Sequence, residues 1–247
     1  MEHLRRRTAL AAAWLAVWVA SAPMSFAASG GKETNDPWEG YNRKVFAFND
    51  FFDRWLLKPV VKGYKFIAPA PVEVGVSNAF ENLLEPASVL NDVLQWKWKA
   101  AGRDLGRFVV NSTAGVVGLW DVADMVGWKK PGASEDFGQT LRTWGVPTGP
   151  YFVIPFLGPS TLTEAFVATP VDFFTHPVSY TESVRAYNSL SALKMIDKRS
   201  QLLAAEELIS GDRYLFIREG YLQNRAFNAA DGQVIDDFGA DTDLDEF

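Results

Sequence analysis

The sequence predicts an all-α protein of short amphipathic helices joined by irregular connections that are rich in proline and glycine. Three observations predict this class. Large apolar side chains recur at spacings of three and four residues, which is the period of a helix with one apolar face. Helix-capping residues precede several of these stretches. Finally, the chain contains neither an alternating strand pattern of useful length nor an internal repeat.

The first 27 residues have the features of an export signal. Three arginines at 5–7 precede an apolar core at 10–19, and the small residues Ser25 and Ala27 fit a cleavage site. We therefore predict a signal peptide over 1–27. A retained N-terminal anchor stays open as the alternative, although the apolar core is short for a membrane span.

The charge distribution excludes one large class of partner. The chain has a net charge of −6, and its end, 231–247, holds seven acidic residues and no lysine or arginine. After a linker at 28–35, the predicted domain at 36–230 is therefore nearly neutral. It has no basic surplus to neutralise phosphates, so we expect no nucleic acid partner. We predict that the acidic tail is solvated and disordered, and docking on a basic partner stays open.

The first predicted helix, over 38–55, carries a stripe of large apolar residues. Asp36 is expected to cap it, with Pro37 at its first position and Glu39 completing a capping box. The stripe contains Trp38, Tyr41, Val45, Phe48, Phe52 and Trp55. Such a helix either packs into a core or lies in a membrane interface, and both interpretations stay open. We predict Trp38, Tyr41, Phe48, Phe52 and Trp55 as the membrane-interface residues.

Prolines divide the next stretch into short helices. A brief helix is expected to begin at Pro59 and to end before Pro69. Another is expected over 74–84, and a third is expected to restart at Pro86 and reach about Trp96.

Aromatic and basic residues alternate at Trp96, Lys97, Trp98 and Lys99. Indoles at the membrane boundary beside ammonium groups suit a phospholipid headgroup region. A partly buried surface turn is the alternative, and the sequence does not separate the two.

The stretch 100–128 predicts a helix-turn-helix that turns near 112–118, where glycines permit a close approach of the helices. Its charged residues interrupt every apolar run before about 18 residues, so an ordinary transmembrane helix is not expected. A polar loop follows at 129–132.

The most informative segment, 136–160, reads DFGQTLRTWGVPTGPYFVIPFLGPS. A helix over 137–144 is expected to stop at Gly145. The following prolines and glycines exclude a regular helix and a central strand, although the segment is too apolar for an ordinary surface loop. A buried core loop and the lining of a cavity both stay open.

Three further helices are predicted. Thr161 and Glu164 cap one over 162–174, which Pro170 is expected to kink or end. Another opens at Thr181 and runs to about 209, and Asp212 caps a last one that runs to about 228.

Catalysis has little support in the sequence. The only histidines are His3 and His176, and the chain has no cysteine and no recognised nucleotide, zinc or hydrolase motif. Ser179, His176 and Asp172 could form a nucleophilic group, but their spacing is not diagnostic. We therefore expect no enzyme, no metal and no cofactor.

Six blocks of sequence resemble the MlaA/VacJ family. They are DPWEGYNR (36–43), FENLLEPASVLNDVLQ (80–95), RFVVNSTAGVVGLWDVA (107–123), DFGQTL (136–141), GVPTGPYFVIPFLGPST (145–161) and SGDRYLFIREGYLQNR (210–225). The blocks cover most of 36–226 in order, which makes the resemblance more specific than any one short motif would be.

This resemblance implies a ring-like helical protein lying at the periplasmic face of the outer membrane of Gram-negative bacteria. It implies a passive channel that removes misplaced phospholipid from the outer leaflet, with a trimeric porin and a periplasmic lipid-binding carrier as partners. Family members are commonly lipidated on a cysteine, for which this sequence has no acceptor. The alternative is a soluble periplasmic scaffold or lipid shuttle.

The resemblance also implies a mobile hairpin beside the channel, in the region that ends with the polar loop. Together with the segment at 136–160, it gives the predicted channel or gate. These residues are Lys129, Lys130, Pro131, Gly132, Phe137, Gly138, Gln139, Gly149, Pro150, Tyr151 and Pro155.

Overall fold

The computed structural model describes residues 36–130, 134–207 and 209–233. The predicted signal peptide, the linker and most of the acidic tail lie outside the described residues. Over the described residues the protein is mostly helical, which confirms the predicted class, and it contains one two-stranded hairpin.

The regular elements follow one another along the chain. The helices are α1 (Glu39–Phe52), α2 (Lys58–Ile67), α3 (Ala70–Leu94), α4 (Trp98–Thr113), α5 (Val122–Met125), α6 (Phe137–Thr143), α7 (Thr169–Thr175), α8 (Val184–Gln201), α9 (Leu203–Glu206) and α10 (Arg213–Ala229). The strands are β1 (Tyr151–Ile154) and β2 (Gly158–Thr161). Two π-helical segments (Asp53–Leu57 and Glu164–Ala168) and a 3₁₀ turn (Pro177–Tyr180) complete the set.

The predicted cap of α1 is wrong. Trp38 occupies the N-cap position, and no side chain of the described residues caps the helix there. Asp36 is buried instead, where it accepts a hydrogen bond from Asn42 Nδ2 at 2.7 Å and pairs with Arg218 at 3.3 Å. The carboxylate thus links α1 to α10. An unpaired buried charge costs more free energy than an uncapped helix end, so Asp36 pairs with Arg218 rather than capping α1.

The predicted break at Pro86 is also wrong, because α3 runs through it as one helix. Proline removes one helical hydrogen bond, but tertiary bonds hold the helix on both sides of it. Asn82 Nδ2 donates to Ser112 Oγ at 2.9 Å, and Ser88 Oγ donates to Asp104 Oδ2 at 3.3 Å.

The predicted turn between α4 and the next helix is confirmed. Val116, Val117 and Gly118 all have positive φ angles there. Gly115 is also required, because a Cβ at this position would lie 2.2 Å from the carbonyl oxygen of Trp120. The following helix, α5, is only four residues long and is capped by Asp121.

The segment after α6 contains a hairpin that the sequence did not reveal. Helix α6 is capped by Asp136, and the chain leaves it at Gly145, whose φ is +82°. Strands β1 and β2 then pair antiparallel, with Tyr151 opposite Thr161 and Ile154 opposite Gly158. The segment is therefore neither helix nor central strand, as predicted, since a two-stranded hairpin has only edges, where proline is tolerated.

The remaining helices agree with the sequence except at three points, one of which is that the helix predicted to run to about 209 ends at Gln201 and is followed by the separate short helix α9. Pro170 lies in the first turn of α7 and does not end the helical stretch, which runs on from the π-helical segment before it to Thr175. Helix α8 begins at Val184 with Ser183 as its cap, not at Thr181. Asp212 caps α10 as predicted and accepts a hydrogen bond from the backbone nitrogen of Tyr214 at 2.9 Å.

A small aromatic core joins the hairpin to the helices at either end of the described chain. Tyr151, Val153 and Tyr214 form its buried centre. Val45 and Phe46 of α1 and Tyr221 and Leu222 of α10 pack around it. Within the described residues, no helix has both the length and the apolar character needed to cross a bilayer.

Candidate functional site

Large apolar side chains lie mainly on the outside of the protein. Phe66 is 92% exposed and Ile67 is 80% exposed at the end of α2, and Leu157 is 73% exposed at the tip of the hairpin. Further exposed residues are Trp55, Trp96, Val117, Met125 and Val184. Exposed apolar surface on this scale is typical of a protein that contacts a membrane or another protein.

Polar side chains occupy the inward faces of α3 and α4. Those on α3 are Asn82, Glu85, Ser88, Asn91 and Asp92, and those on α4 are Asp104, Arg107 and Asn111. The outward faces carry Leu90, Leu105 and Val109. The two helices are thus amphipathic in the opposite sense to helices of a water-soluble bundle, which bury their apolar stripe.

The predicted membrane-interface stripe of α1 forms an aromatic surface together with the hairpin. Trp38 and Tyr41 contact Phe152, and Phe48 and Phe52 contact Phe156, with ring centroids 4.8–6.3 Å apart along the whole group. Trp55 continues it and is largely exposed. Phe52 is half-buried, so the stripe faces outward except where the hairpin partly covers it.

Beside this stripe, α1 also holds the backbone of the hairpin through two asparagines that sequence analysis missed. Asn42 donates to the carbonyl oxygen of Tyr151 at 3.1 Å and accepts from the backbone nitrogen of Val153 at 2.9 Å. Asn49 makes the same two kinds of bond to Ile154 and Phe156, at 3.0 and 2.7 Å. Their spacing of seven residues, two helical turns, was the available signal.

Lys130 anchors the predicted gate segment to the polar faces of α3 and α4. Its Nζ lies 2.8 Å from Glu85 and 3.2 Å from Asp104. On the other side of the segment, the backbone nitrogen of Glu135 donates to Ser88 Oγ at 2.9 Å. Burial raises the pKa of Glu85, and Lys130 opposes this shift. Both ends of the segment are therefore held by buried polar groups.

The outer members of this predicted segment differ from Lys130. Lys129 is exposed. Pro131 and Gly132 lie outside the described residues.

The predicted residues of α6 lie around a partly buried arginine. Arg225 of α10 binds Asp136 with both terminal nitrogens and Glu164 with Nε at 2.7 Å. Gly138 leaves room for it, because a Cβ there would lie 2.5 Å from an Arg225 nitrogen. Of the two flanking predicted residues, Gln139 is buried and donates to the Ser134 carbonyl, while Phe137 packs on Trp144.

The predicted residues of the hairpin segment lie apart from Lys130. Gly149 has a φ of +70°, and the carbonyl of Pro150 accepts a hydrogen bond from Leu162 at 3.0 Å. Tyr151 is completely buried between Tyr214 and Tyr221, and burial raises its pKa. Pro155 is exposed in the hairpin turn. The predicted residues thus fall into separate groups around Lys130, around Arg225 and in the hairpin.

A cavity of about 600 Å³ opens where α3 ends and α4 begins. Its lining contains Trp96 and Trp98, the basic residues Lys97, Lys99, Arg103 and Lys130, and the acidic residues Asp92, Asp104, Glu135 and Asp231. The alternating motif at 96–99 therefore forms the rim of a cavity. Sequence analysis found this rim but missed Asp92 and Asp104, which appear in the sequence only as ordinary polar positions of helices.

The side chains of the conceivable catalytic group are engaged elsewhere. His176 Nε2 lies 2.7 Å from Lys194 Nζ, and burial lowers the pKa of His176 to about 4. Asp172 accepts a hydrogen bond from the backbone nitrogen of Phe137 at 2.9 Å. His176 Nδ1 also accepts a hydrogen bond from the backbone nitrogen of Val178 at 3.2 Å, so both of its ring nitrogens are occupied.

Comparisons with known proteins agree on one family. The family model described as MlaA lipoprotein matches residues 34–228. The intermembrane phospholipid transport system lipoprotein MlaA of Shigella flexneri is 34% identical over 210 residues, which cover 81% of this chain and 80% of that protein. The protein of the same name from Escherichia coli is 33% identical over 204 residues, covering 81% and 80%.

An uncharacterized protein of Rickettsia typhi is 31% identical over 200 residues, covering 80% of this chain and 79% of that protein. A solved structure also matches, with a TM-score of 0.69 and 33% identity over 78% of this chain and 98% of that one. It was published as the structural basis for maintenance of bacterial outer membrane lipid asymmetry.

Proposed function

This chain belongs to the MlaA lipoprotein family, and on that premise we propose that it transports phospholipid between the outer and inner membranes. It would remove misplaced phospholipid from the outer leaflet of the outer membrane and so maintain lipid asymmetry. The names of the relatives and the matching structure support this role.

The reversed placement of polar and apolar side chains is the observation that carries the proposal. A diacyl phospholipid has roughly 30 methylenes, and each costs about 0.8 kcal/mol to expose to water. A protein lowers this cost if the acyl chains stay in the bilayer while the headgroup follows a polar path. The apolar exterior and the polar faces of α3 and α4 match these two requirements.

The finer parts of the proposal rest on the family resemblance. We expect the protein at the periplasmic face of the outer membrane, beside a trimeric porin, with a periplasmic lipid-binding carrier that accepts the lipid. Transport would be passive. We propose the segment that begins at Lys129 and Lys130 as the gate. Lys130 Nζ and the backbone nitrogen of Glu135 both donate to Ser88 Oγ, so both ends of the segment contact the polar face of α3.

The outer-leaflet phospholipid content of a strain that lacks this gene tests the role. We expect phospholipid to accumulate there and a plasmid copy to reverse the accumulation. An unchanged outer leaflet would contradict the transport role.

Flotation of the purified protein with vesicles in high salt tests the alternative of a soluble shuttle. Apolar insertion survives salt, whereas contacts between surface charges are screened. A protein that stays with the vesicles at high salt supports membrane residence, and one that is released favours the soluble shuttle or scaffold.

A further inference from the structure

The cavity between α3 and α4 contains a carboxylate that is not used by the fold. Asp92 is only 1% exposed, and neither of its carboxylate oxygens has a hydrogen-bond partner among the described residues. A buried carboxylate without a partner is costly, and burial raises its pKa to about 7. Because Asp92 also lines the cavity, its unused oxygens are available to a ligand that donates hydrogen bonds.

Basic groups lie in the same cavity. Lys99 is exposed at the rim and has no ion pair with the described residues. Arg103 stands one helical turn further along α4, with its Nε on Asp104 at 2.8 Å. A lining with four basic and four acidic residues favours a ligand that carries both charges over a simple anion or cation.

The rim carries a sign of backbone strain. Trp96 has a φ of +63°, in the left-handed region that bulky residues rarely adopt. Its side chain is 75% exposed, so packing offsets little of the conformational energy of this strained backbone. It contacts Trp98 edge to face at 5.8 Å. The strained backbone directs the two tryptophans outward, next to Lys97 and Lys99. Exposed indoles beside ammonium groups are typical of the boundary between acyl chains and headgroups.

We infer that this cavity binds the phosphoethanolamine headgroup of the transported phospholipid, with the ammonium at Asp92 and the phosphate at Lys99 and Arg103. The inference rests on the proposed function and adds a headgroup preference to it. A volume of about 600 Å³ lies within the range of small-molecule sites, about 300–1,000 Å³. Phosphatidylglycerol offers the same phosphate but no ammonium, so Asp92 would distinguish the two lipids.

The test uses vesicles that contain phosphatidylethanolamine and phosphatidylglycerol in equal amounts and with the same acyl chains. The full-length protein is incubated with them and re-isolated in mild detergent, and the retained lipids are measured by mass spectrometry. We expect phosphatidylethanolamine to be enriched about tenfold, the effect of one charge-assisted hydrogen bond.

Two variants separate the two ends of the headgroup. D92N keeps the shape of the side chain but removes its charge, and we expect enrichment to fall to nearly none while total retained lipid changes less. K99Q should lower the retention of both lipids and leave their ratio unchanged, because both carry the phosphate. D124N, at an exposed position of α5, is the matched control and should behave like the wild-type protein.

The outcomes also separate this inference from the proposed function. If the wild-type protein retains lipid without a headgroup preference, or if D92N keeps the preference, the headgroup site is refuted and the transport role stands. If the wild-type protein retains no lipid at all, both fail. Soluble phosphoethanolamine that binds as tightly as the lipid would show that the ligand is a free phosphate ester and would overturn the assignment to a lipid headgroup.

Discussion

Two pairs of elements turn polar groups inward and apolar groups outward. The first is α1 with the hairpin, and the second is α3 with α4. They use different polar groups to do so. In the first pair, the neutral amides of Asn42 and Asn49 bind the backbone of β1 and the hairpin turn. In the second pair half of the inward groups are charged, namely Glu85, Asp92, Asp104 and Arg107, and Lys130 from the following segment pairs with two of them.

Neutral amides and charged groups have different consequences for the two pairs. The amide of each asparagine donates to one backbone carbonyl and accepts from one backbone nitrogen of the hairpin. These hydrogen bonds leave no group over for a ligand, so the contact between α1 and the hairpin only positions the aromatic surface. Buried charges cost more to desolvate than neutral amides do, and a region built only for stability gains little from them. The charged pair also leaves the carboxylate of Asp92 without a hydrogen-bond partner among the residues that the structure describes. The first pair therefore positions the hairpin, whereas the second contains the carboxylate on which the proposed headgroup site depends.

Removal of a central cation from the charged pair should have the largest effect on stability. Arg107 lies 2.6 Å from Asp121 and 3.8 Å from Glu85, and it donates to the carbonyl of Trp128. In R107M the buried Glu85 and the partly buried Asp121 both lose this partner, so we expect the free energy of unfolding to fall by about 3 kcal/mol. Chemical denaturation of the detergent-solubilised protein measures it.

The matched control is R185M, which removes an exposed arginine from α8. It should change the free energy of unfolding by less than about 0.5 kcal/mol. If R107M were as stable as R185M, the charged pair would not depend on its central cation, and the contrast between the two pairs would lose its energetic basis.

Loss of one amide from the neutral pair should cost less. In N42L the backbone of β1 loses one hydrogen-bond acceptor and one donor. Asp36 loses one of its three hydrogen bonds and keeps those from Tyr214 and Arg218. We expect a loss of about 2–3 kcal/mol, since buried backbone groups are left unsatisfied. The same denaturation experiment measures it, with N188L at an exposed position of α8 as the control. Equal stability of the two variants would argue against the role of Asn42 in positioning the hairpin.

Sequence reasoning predicted the helical class because helix periodicity and capping are local signals. Asp136 and Asp212 cap their helices as expected, and the chain leaves α6 at Gly145. The same reasoning failed at Asp36 and Pro86, where the local signal was overruled by distant partners: Tyr214 and Arg218 in the first case and α4 in the second.

The candidate site was harder to predict than the fold. Periodicity identifies an amphipathic helix, but it does not say which face turns inward, and the reversed orientation of α3 became visible only with the structure. The hairpin escaped because four-residue strands beside prolines give almost no alternating pattern. The rim at 96–99 was found from composition, whereas Asp92 needed tertiary information, because what distinguishes it is the lack of a hydrogen-bond partner within the described parts of the chain.

The hairpin tip should separate membrane binding from folding. Leu157 is 73% exposed, so L157D should leave the free energy of unfolding nearly unchanged. If this surface enters the bilayer, the variant loses the burial of one leucine, about 1.5–3 kcal/mol, and vesicle binding falls about tenfold or more. Flotation measures this, with Q223D on the exposed side of α10 as the control. Equal binding by L157D would place the hairpin tip outside the membrane.

A further effect should appear in the pH dependence of stability. Burial, together with Asp104 and Glu135, raises the pKa of Asp92 from 3.8 to about 7, while Lys130 and Arg103 oppose the shift. The folded state therefore holds a proton that the unfolded state releases, and the penalty for ionising Asp92 grows as the pH rises from about 4 to about 7. D92N removes that penalty, so its unfolding midpoint should exceed that of the wild-type protein more at pH 8 than at pH 5. The experiment is done without lipid. If the difference between the two unfolding midpoints did not change with pH, Asp92 would already be stabilised as a carboxylate by the protein itself, and it would not be free to bind an ammonium group.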